Sequence, residues 1–504
     1  MIVVRFIESK ATVWAAFILV AFSYAMGLIV SLADPDLWGY MAFGYTFWTE
    51  PGFPYTDPFS YMPVNPVWIY HEWLTGVIFF PLYAGIGEEA LQALRYIFAF
   101  LTLFLAYAAA KKRGAKTSLA LLGLFFPAFA ICTGFGPVRA QVFTYFFFAL
   151  TLYLLETCRL SQRFKPLWLF PPVILLWCNL HGGFVAGLAI VGLYAAGEFL
   201  SRKPWKPYLF ILAPCLAATL INPYGWTYWT YLVKAILMPR PEIYEWMSIW
   251  KAMSMGFKHL AIPLFMGLFP LAVLFCLKPL QKNWSAVLVL AAVSWMAFSH
   301  MRHIPFMGIA MAALLPSGAD YFIKTKSREA SILLGAALLS MACLAVLNAK
   351  VVWAHFHYPQ VLRNPLSIEA LPESQVLPGQ MAYPVDGVAF IREKGLHGNI
   401  LTEFDWGQFV MWSLPDSKVS MDGRYETVYP DKVCREYFAF AYGKPGAEEY
   451  LTKYPHEIAL LKERSVTSAQ LAASPDWLLA YKGDGCLVFL KNLFLEKITK
   501  KAIP

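Results

Sequence analysis

Apolar runs long enough to cross a bilayer recur along most of this chain, and no other feature constrains it more. A bilayer core of about 30 Å takes about 20 apolar residues of helix. Runs that meet or approach this length lie near residues 12–33, 93–110, 117–135, 140–157, 166–181, 183–200, 207–221, 260–277, 284–300, 304–322 and 329–349. Over the 504 residues, 59% are hydrophobic and 14% are charged, with a mean hydropathy of +0.52. A soluble domain carries about 25% charge and about 45–50% apolar residues. An ordinary cytosolic enzyme, a disordered chain and a disulfide-stapled secreted module are therefore excluded. The expected fold is an all-α polytopic membrane protein of about 11 transmembrane helices with a small C-terminal extracytoplasmic α/β domain. The first run is too long for a signal peptide and lacks a small-residue cleavage site, so it reads as an uncleaved anchor.

Charge sets the orientation. The apolar stretch Trp73 to Ile86 competes for membrane status, but if it spanned, the basic loop Lys111-Lys112-Arg113 would fall outside. Read as an interfacial helix, it leaves seventeen Lys and Arg at the cytoplasmic ends of the spans against seven outside. That asymmetry is the positive-inside pattern and puts the N-terminus in and the C-terminus out. The net charge of +9 is thereby assigned to cytoplasmic loops, with no nucleic-acid partner. Two long outer loops follow, 34–94 with seven acidic residues and no Lys or Arg, and 222–259, rich in Trp and Tyr. The expected domains are thus a transmembrane domain over 1–350 and an extracytoplasmic α/β domain over 351–504.

The tail carries its own pattern. Helices are expected at 386–394, 407–414, 431–441 and 447–453, and strands at 399–403, 418–421, 457–461, 477–481 and 486–490, an alternation that reads as a small α/β domain. The eight cysteines show no CxxC or other metal spacing. Six lie in or beside apolar runs. Cys434 and Cys486 can pair only in an extracytoplasmic segment, and the sequence leaves that open.

The middles of the expected spans hold no Asp, Glu, Lys or Arg. Ion pathways and proton relays need such groups, so a coupled transporter is disfavoured. Glu156 and Glu198 are expected at cytoplasmic helix ends, in reach of water. Polar chemistry gathers at outer ends: Asp34 and Asp36, then Asp57, His71 and Glu72, with Arg139, His181, Arg302 and His303 capping other spans and Arg240 in the second outer loop. A carboxylate can act as general base on an acceptor hydroxyl, while Arg and His can bind a lipid phosphate and take up its developing charge. Each group also has a plain structural reading. Asp34 and Asp36 can cap the following helix, and Asp57 sits in a turn sequence. His71-Glu72 can start a helix, Arg139 and Arg302 can hold headgroups, and His181 can be a satisfied histidine at a helix break. Trp38, Trp48, Tyr55, Trp68, Tyr70 and Trp73 can stack on sugars or form an interfacial belt. Asp405-Trp-Gly and Asp422-Gly-Arg424 read as turns that close strands.

These residues resemble the GT-C superfamily of membrane glycosyltransferases, which includes protein O-mannosyltransferases, aminoarabinose transferases and oligosaccharyltransferases. The likeness rests on an acidic pair just past the first helix, a long outer loop ending in an interfacial helix, and Arg95 opening the next span. It is closest to a group of uncharacterised bacterial GT-C-like proteins. The motifs are Asp34-Pro-Asp36-Leu-Trp38, Tyr55-Thr-Asp57-Pro-Phe-Ser-Tyr61, His71-Glu72-Trp73-Leu, Pro137-Val-Arg139-Ala-Gln141, Asn179-Leu-His181-Gly-Gly, Asn222-Pro-Tyr-Gly225 and Arg302-His303-Ile-Pro, with Asp405-Trp-Gly407 and Asp422-Gly-Arg424 in the tail. The likeness covers essentially the whole chain.

The resemblance implies an inverting transfer of a sugar or oligosaccharide from a polyprenyl-phosphate-linked donor to a protein or glycolipid acceptor. It implies residence in the bacterial inner membrane with the site on the periplasmic face. Asp36 or Asp34 matches the Asp of the first outer loop that serves in the superfamily as catalytic base or metal ligand. The phosphate falls to Arg139, Arg302, His303, His181 and Arg240, and substrate contacts to Asp57, His71, Glu72 and Trp38. Some members hold a divalent metal and others do without. Here Mg²⁺ or Mn²⁺, where used, falls to Asp34 and Asp36. The Trp-Trp-Asp motif of oligosaccharyltransferases is absent. The alternative to an enzyme is a non-catalytic lipid-binding or scaffold protein on the same frame.

Overall fold

Among the described residues apolar burial makes helix the dominant element, and the named strands lie in the tail. The computed structural model describes residues 9–29, 32–238, 240, 243–256, 283–318, 364–376 and 380–494. The expected spans near 260–277 and 329–349 lie outside the described residues. Among those described, Lys10–Gly27, Glu88–Lys112 and Gln141–Ser161 are long and apolar enough to cross a membrane. Shorter helices at Thr117–Cys132, Phe170–Leu180, Phe184–Leu200, Lys206–Ala218, Trp284–Ser299 and Ile304–Leu314 coincide with other expected runs. The first helix ends at Gly27 and not at 33. Leu32 forms a bridge with Glu369, and Asp34, which precedes a proline, is extended as such residues prefer.

Two compact units divide the chain, Met1–Val30 with Gln92–Pro365, and Ser31–Leu91 with Leu366–Pro504. The first outer loop, which the sequence division placed in the 1–350 domain, thus packs as one body with the tail.

In the first unit, buried charge is matched by donors. Glu156 is fully buried, contrary to the expectation that it reaches water. It accepts from Arg113 at 2.7 Å, from Arg159 at 2.8 and 3.0 Å and from Tyr194 at 2.6 Å. Glu198 is likewise buried and accepts from Ser285 at 2.8 Å. Arg95, fully buried, is met by carbonyls among the described residues. It donates to the carbonyls of Leu28 and Phe135 at 2.8 Å each and to that of Gly136. One guanidinium thereby satisfies helix-end and loop carbonyls that lack helical partners.

In the second unit, Pro35–Thr49 crosses Trp73–Ile86, the expected interfacial helix. The crossing is close because both helices present glycine. A Cβ at Gly76 would stand 2.7 Å from the Tyr40 carbonyl oxygen, and one at Gly44 would collide with the Gly76 carbonyl. The tail forms a five-stranded sheet of β1 (Asn399–Thr402), β2 (Lys418–Val419), β3 (Ile458–Lys462), β4 (Trp477–Lys482) and β5 (Cys486–Lys491) in the order β2-β1-β3-β5-β4. β1 is parallel to β2 and β3, while β5 is antiparallel to β3 and β4. The first loop covers the β2 edge. The Val419 N–H donates to the Phe59 carbonyl at 2.9 Å and the Ser60 hydroxyl donates to that of Val419 at 3.0 Å, which removes an open edge. Cys434 and Cys486 are separate buried free thiols.

Arg424 joins loop to tail. It is buried, pairs with Asp422 at 2.7 Å and also with Asp57, and lies over the rings of Phe59 and Trp68 at 5.1 and 5.0 Å. Asp422 also accepts from Tyr429 at 2.7 Å. Burial pulls the Asp422 carboxyl upward, but the Arg424 guanidinium outweighs it and holds the group below its usual range. Breaking a buried pair leaves an uncompensated charge and costs about 3–5 kcal/mol. Arg424→Met should therefore cost about that much, read as the thermal unfolding midpoint of the purified full chain.

His456 makes a second contact across the same seam. Its Nε2 donates to the Tyr450 carbonyl at 3.0 Å, so Nδ1 accepts from the Tyr61 hydroxyl at 2.6 Å. Burial lowers this imidazole from 6.5 to about 4. The unfolded chain then binds a proton that the folded chain refuses, so stability is full above pH 6.5 and falls as pH drops toward 4. The whole loss is about 3 kcal/mol. Melting curves from pH 7 to 5 should show this destabilisation, and His456→Phe should flatten that part of the profile.

Candidate functional site

Proline decides what the acidic pair can do. Asp34 is the N-cap of Pro35–Thr49 and Pro35 is the first helical residue, with no N–H to offer. The first amide within reach is that of Asp36, which donates to Asp34 Oδ1 at 3.0 Å. Asp34 is buried and committed to capping, whereas Asp36 is half-buried in the first turn with its side chain turned to other partners. Its Oδ1 accepts from Gln408 Nε2 at 2.9 Å, a residue at the start of the Gly407–Ser413 helix. Gln408 was not singled out in the sequence. Its only signal was its place directly after the Asp405-Trp-Gly407 motif.

The neighbouring expected residues fall in the same unit. Tyr40, one turn after Asp36, donates its hydroxyl to Glu72 Oε2 at 2.8 Å, and His71 Nε2 lies 3.6 Å from Glu72 Oε1. The buried Tyr70 phenol is pushed well up, by burial first and then by the charges of Glu72 and Asp36. Two residues expected to contact substrate have partners within the fold. The Asp57 side chain is fully buried and bound to Arg424, with Oδ2 accepting from the Ser60 amide at 2.8 Å, so it anchors the loop in this structure. Trp38 is 6% exposed and packs against Phe409 and Tyr383, at 5.4 and 6.3 Å between centroids, leaving no face for a sugar. Trp68 and Tyr70 are buried too, whereas Trp48 and Tyr55 are exposed. Asp422-Gly-Arg424, read as a turn, is the core ion pair and not a surface closure.

The expected cations lie in the first unit, where most of them gather around Trp246. The guanidinium groups of Arg240 and Arg302 stand 4.5 and 4.7 Å from its ring centroid. Beside it, Glu245 accepts from Arg139 at 3.0 Å. The short helical turns Tyr244–Trp246 and Met301–His303 are tied by a bond from the Met301 amide to the Met247 carbonyl at 3.1 Å. The Tyr145 hydroxyl donates to the Arg302 carbonyl at 3.2 Å. Stacking on an indole holds a guanidinium while leaving its in-plane N–H groups able to meet an oxyanion.

The two histidines differ in what they can give. His303 lies 3.2 Å through Nδ1 from the Met296 carbonyl, which only accepts. A neutral His303 thus presents a lone pair at Nε2 and no donor for phosphate. His181 Nδ1 accepts from the Gly183 amide at 2.9 Å and lies 2.8 Å from the Thr144 hydroxyl. Its neutral ring therefore carries its proton on Nε2 and can donate there. Trp246, Glu245 and His300 went unremarked in the sequence, since only the fold brings the second outer loop against the Arg302 turn.

Asp34 spends an oxygen on its cap, and among the described residues no three His, Cys, Asp or Glu side chains converge as ligands.

No family model matches this sequence, and no curated protein does. Solved structures match in fold. ArnT from Cupriavidus metallidurans bound to undecaprenyl phosphate is similar at 14% identity, with 95% of this chain and 97% of that one covered and a TM-score of 0.54. Its apo state gives 14% identity, 95% and 98% coverage and a TM-score of 0.53. An Archaeoglobus fulgidus oligosaccharyltransferase, tethered to an acceptor peptide, matches at 12% identity over 89% of this chain and 69% of that one, with a TM-score of 0.49.

The cap assignment is testable by stability alone. Asp34→Asn keeps a capping oxygen and should melt like the wild type, whereas Asp34→Ala should lose about 1 kcal/mol in thermal unfolding of the full chain. Equal melting of both variants would show that the cap bond contributes nothing.

Proposed function

We propose, from the premise that this chain has the GT-C fold of membrane glycosyltransferases, that it transfers a sugar or oligosaccharide from a polyprenyl-phosphate-linked donor to an extracytoplasmic protein or glycolipid. The observation that carries this reading is the unequal fate of the acidic pair. One carboxylate is consumed by the helix cap, and the other is held by a side-chain amide. Donor class is supported by the likeness to ArnT, whose structure holds undecaprenyl phosphate.

In this reading Asp36 is the general base. It takes the proton of the acceptor hydroxyl as that oxygen bonds to the anomeric carbon. The bond from that carbon to the phosphate oxygen breaks, and its electron pair leaves on the polyprenyl phosphate with inversion. Arg139, Arg240 and Arg302 take up the leaving charge, and His181 adds a neutral donor through Nε2. Glu72 and His71 contact the acceptor. No step is routed through a metal. The chain crosses the bacterial inner membrane about eleven times, with its N-terminus cytoplasmic and the tail periplasmic.

Glycans on protein and on lipid are to be compared in a strain lacking the gene, complemented at matched expression. Wild type and Asp34→Asn should restore the missing glycan, and Asp36→Asn should leave it at least about a hundredfold down. Restoration by Asp36→Asn would remove Asp36 as base. A deletion that changes no glycan would favour a non-catalytic lipid-binding role.

A further inference from the structure

We infer that Gln408 is a positioning residue for Asp36, so that the tail completes the transfer site and does not merely cover it. The inference rests on the proposed role of Asp36 as base. Its own support is the way the amide is fixed. Gln408 is 2% exposed, and Nε2 points at Asp36 Oδ1 from 2.9 Å. A carboxylate only accepts, so the nitrogen must be the end that faces it.

The amide has little room to turn away. On one side is Gly39, three residues after Asp36, where a Cβ would collide with Gln408 Oε1. On the other is Gly423, between the paired Asp422 and Arg424, where a Cβ would stand 2.5 Å from Nε2 and 3.2 Å from Asp36 Oδ1. Two glycines thus open a slot that a glutamine amide fills. The second wall of the slot is fixed by the Arg424 ion pairs with Asp422 and Asp57. Charged groups near the slot include Asp34 at the cap, Glu72 beside Tyr40, Asp405 near Tyr383, and Asp422 and Asp57 with Arg424.

A general base must hold one oxygen toward the hydroxyl it deprotonates, and small misplacements are expensive. A fixed donor on Oδ1 sets the carboxylate plane and so the direction of Oδ2. A side chain needed only for packing would do none of this, and replacement at equal shape would be silent.

The test uses the full-length chain in the deletion strain, with Asp36→Asn alongside. Q408M preserves shape and removes the donor. It should lower the restored glycan on the order of tenfold to a hundredfold, at unchanged membrane level and melting midpoint. Q408E places a carboxyl against Asp36 that donates only when protonated. Its output relative to wild type should be low in medium near pH 7.5 and recover near pH 5.5. Should Q408M fold poorly, G423A probes the same slot by pressing on Nε2 with the glutamine intact, and it should show the same loss. Wild-type output from Q408M and Q408E at both pH values, with Asp36→Asn inactive, would overturn the inference and leave the base assignment standing. Losses that follow folding level and show no recovery at low pH would also overturn it. Restoration by Asp36→Asn would instead remove the base assignment, and this inference with it.

Discussion

Arg424 carries a full charge into the interior of the second unit, where an isolated guanidinium would be prohibitively unstable. It is tolerated because Asp57 comes from the first loop, Asp422 from the tail, and two rings cover its faces. None of these partners suffices alone. The loop and tail are more than three hundred residues apart in sequence, yet neither can be lifted away without stranding a charge. Everything nearer the acidic pair inherits that rigidity. Gly423 is held between the two charged residues, Gln408 lies against Gly423, and Asp36 is bound by Gln408.

The first unit solves the problem of buried charge differently at its two kinds of site. Glu156 is matched by two arginines and a tyrosine, and the Arg95 terminal nitrogens by backbone carbonyls. Around Trp246 two guanidinium groups lie over one aromatic ring. A ring supplies attraction without neutralising charge. Beside that ring Arg139 pairs with Glu245, so the cluster holds a carboxylate as well as its guanidinium groups.

Much of this was legible in the sequence. Apolar runs located the membrane-length and shorter apolar helices named above, and the tail's pattern located the five strands of its sheet, because period and length are local properties, whereas the helices Thr227–Leu237 and Ile249–Ser254 in the second outer loop were not expected. The helix Val466–Ala473 was missed, a short segment with a weak apolar stripe. Glu156 was misjudged for another reason. Its position at a helix end says nothing about Arg113 and Tyr194, which arrive from other segments. The same holds for Asp57 and Arg424, each of which looked like part of a turn until the other was seen. Asp36 was legible as chemistry, since acidic pairs beside a first span carry a family likeness, but Gln408 was not. A lone glutamine has no pattern, and its meaning comes entirely from the slot between Gly39 and Gly423.

Asp34-Pro35-Asp36 could be read only as two similar acids, yet the proline makes them unlike. A helix entered through an N-cap offers its second and third amides to the cap side chain, and with proline first the nearest of these belongs to Asp36 itself. The backbone of Asp36 therefore recruits the side chain of Asp34, and in doing so leaves its own side chain to be recruited by the tail. Adjacent acids without the proline would compete for the same amides. With this spacing the Asp34 side chain stays at the cap while the Asp36 side chain meets Gln408.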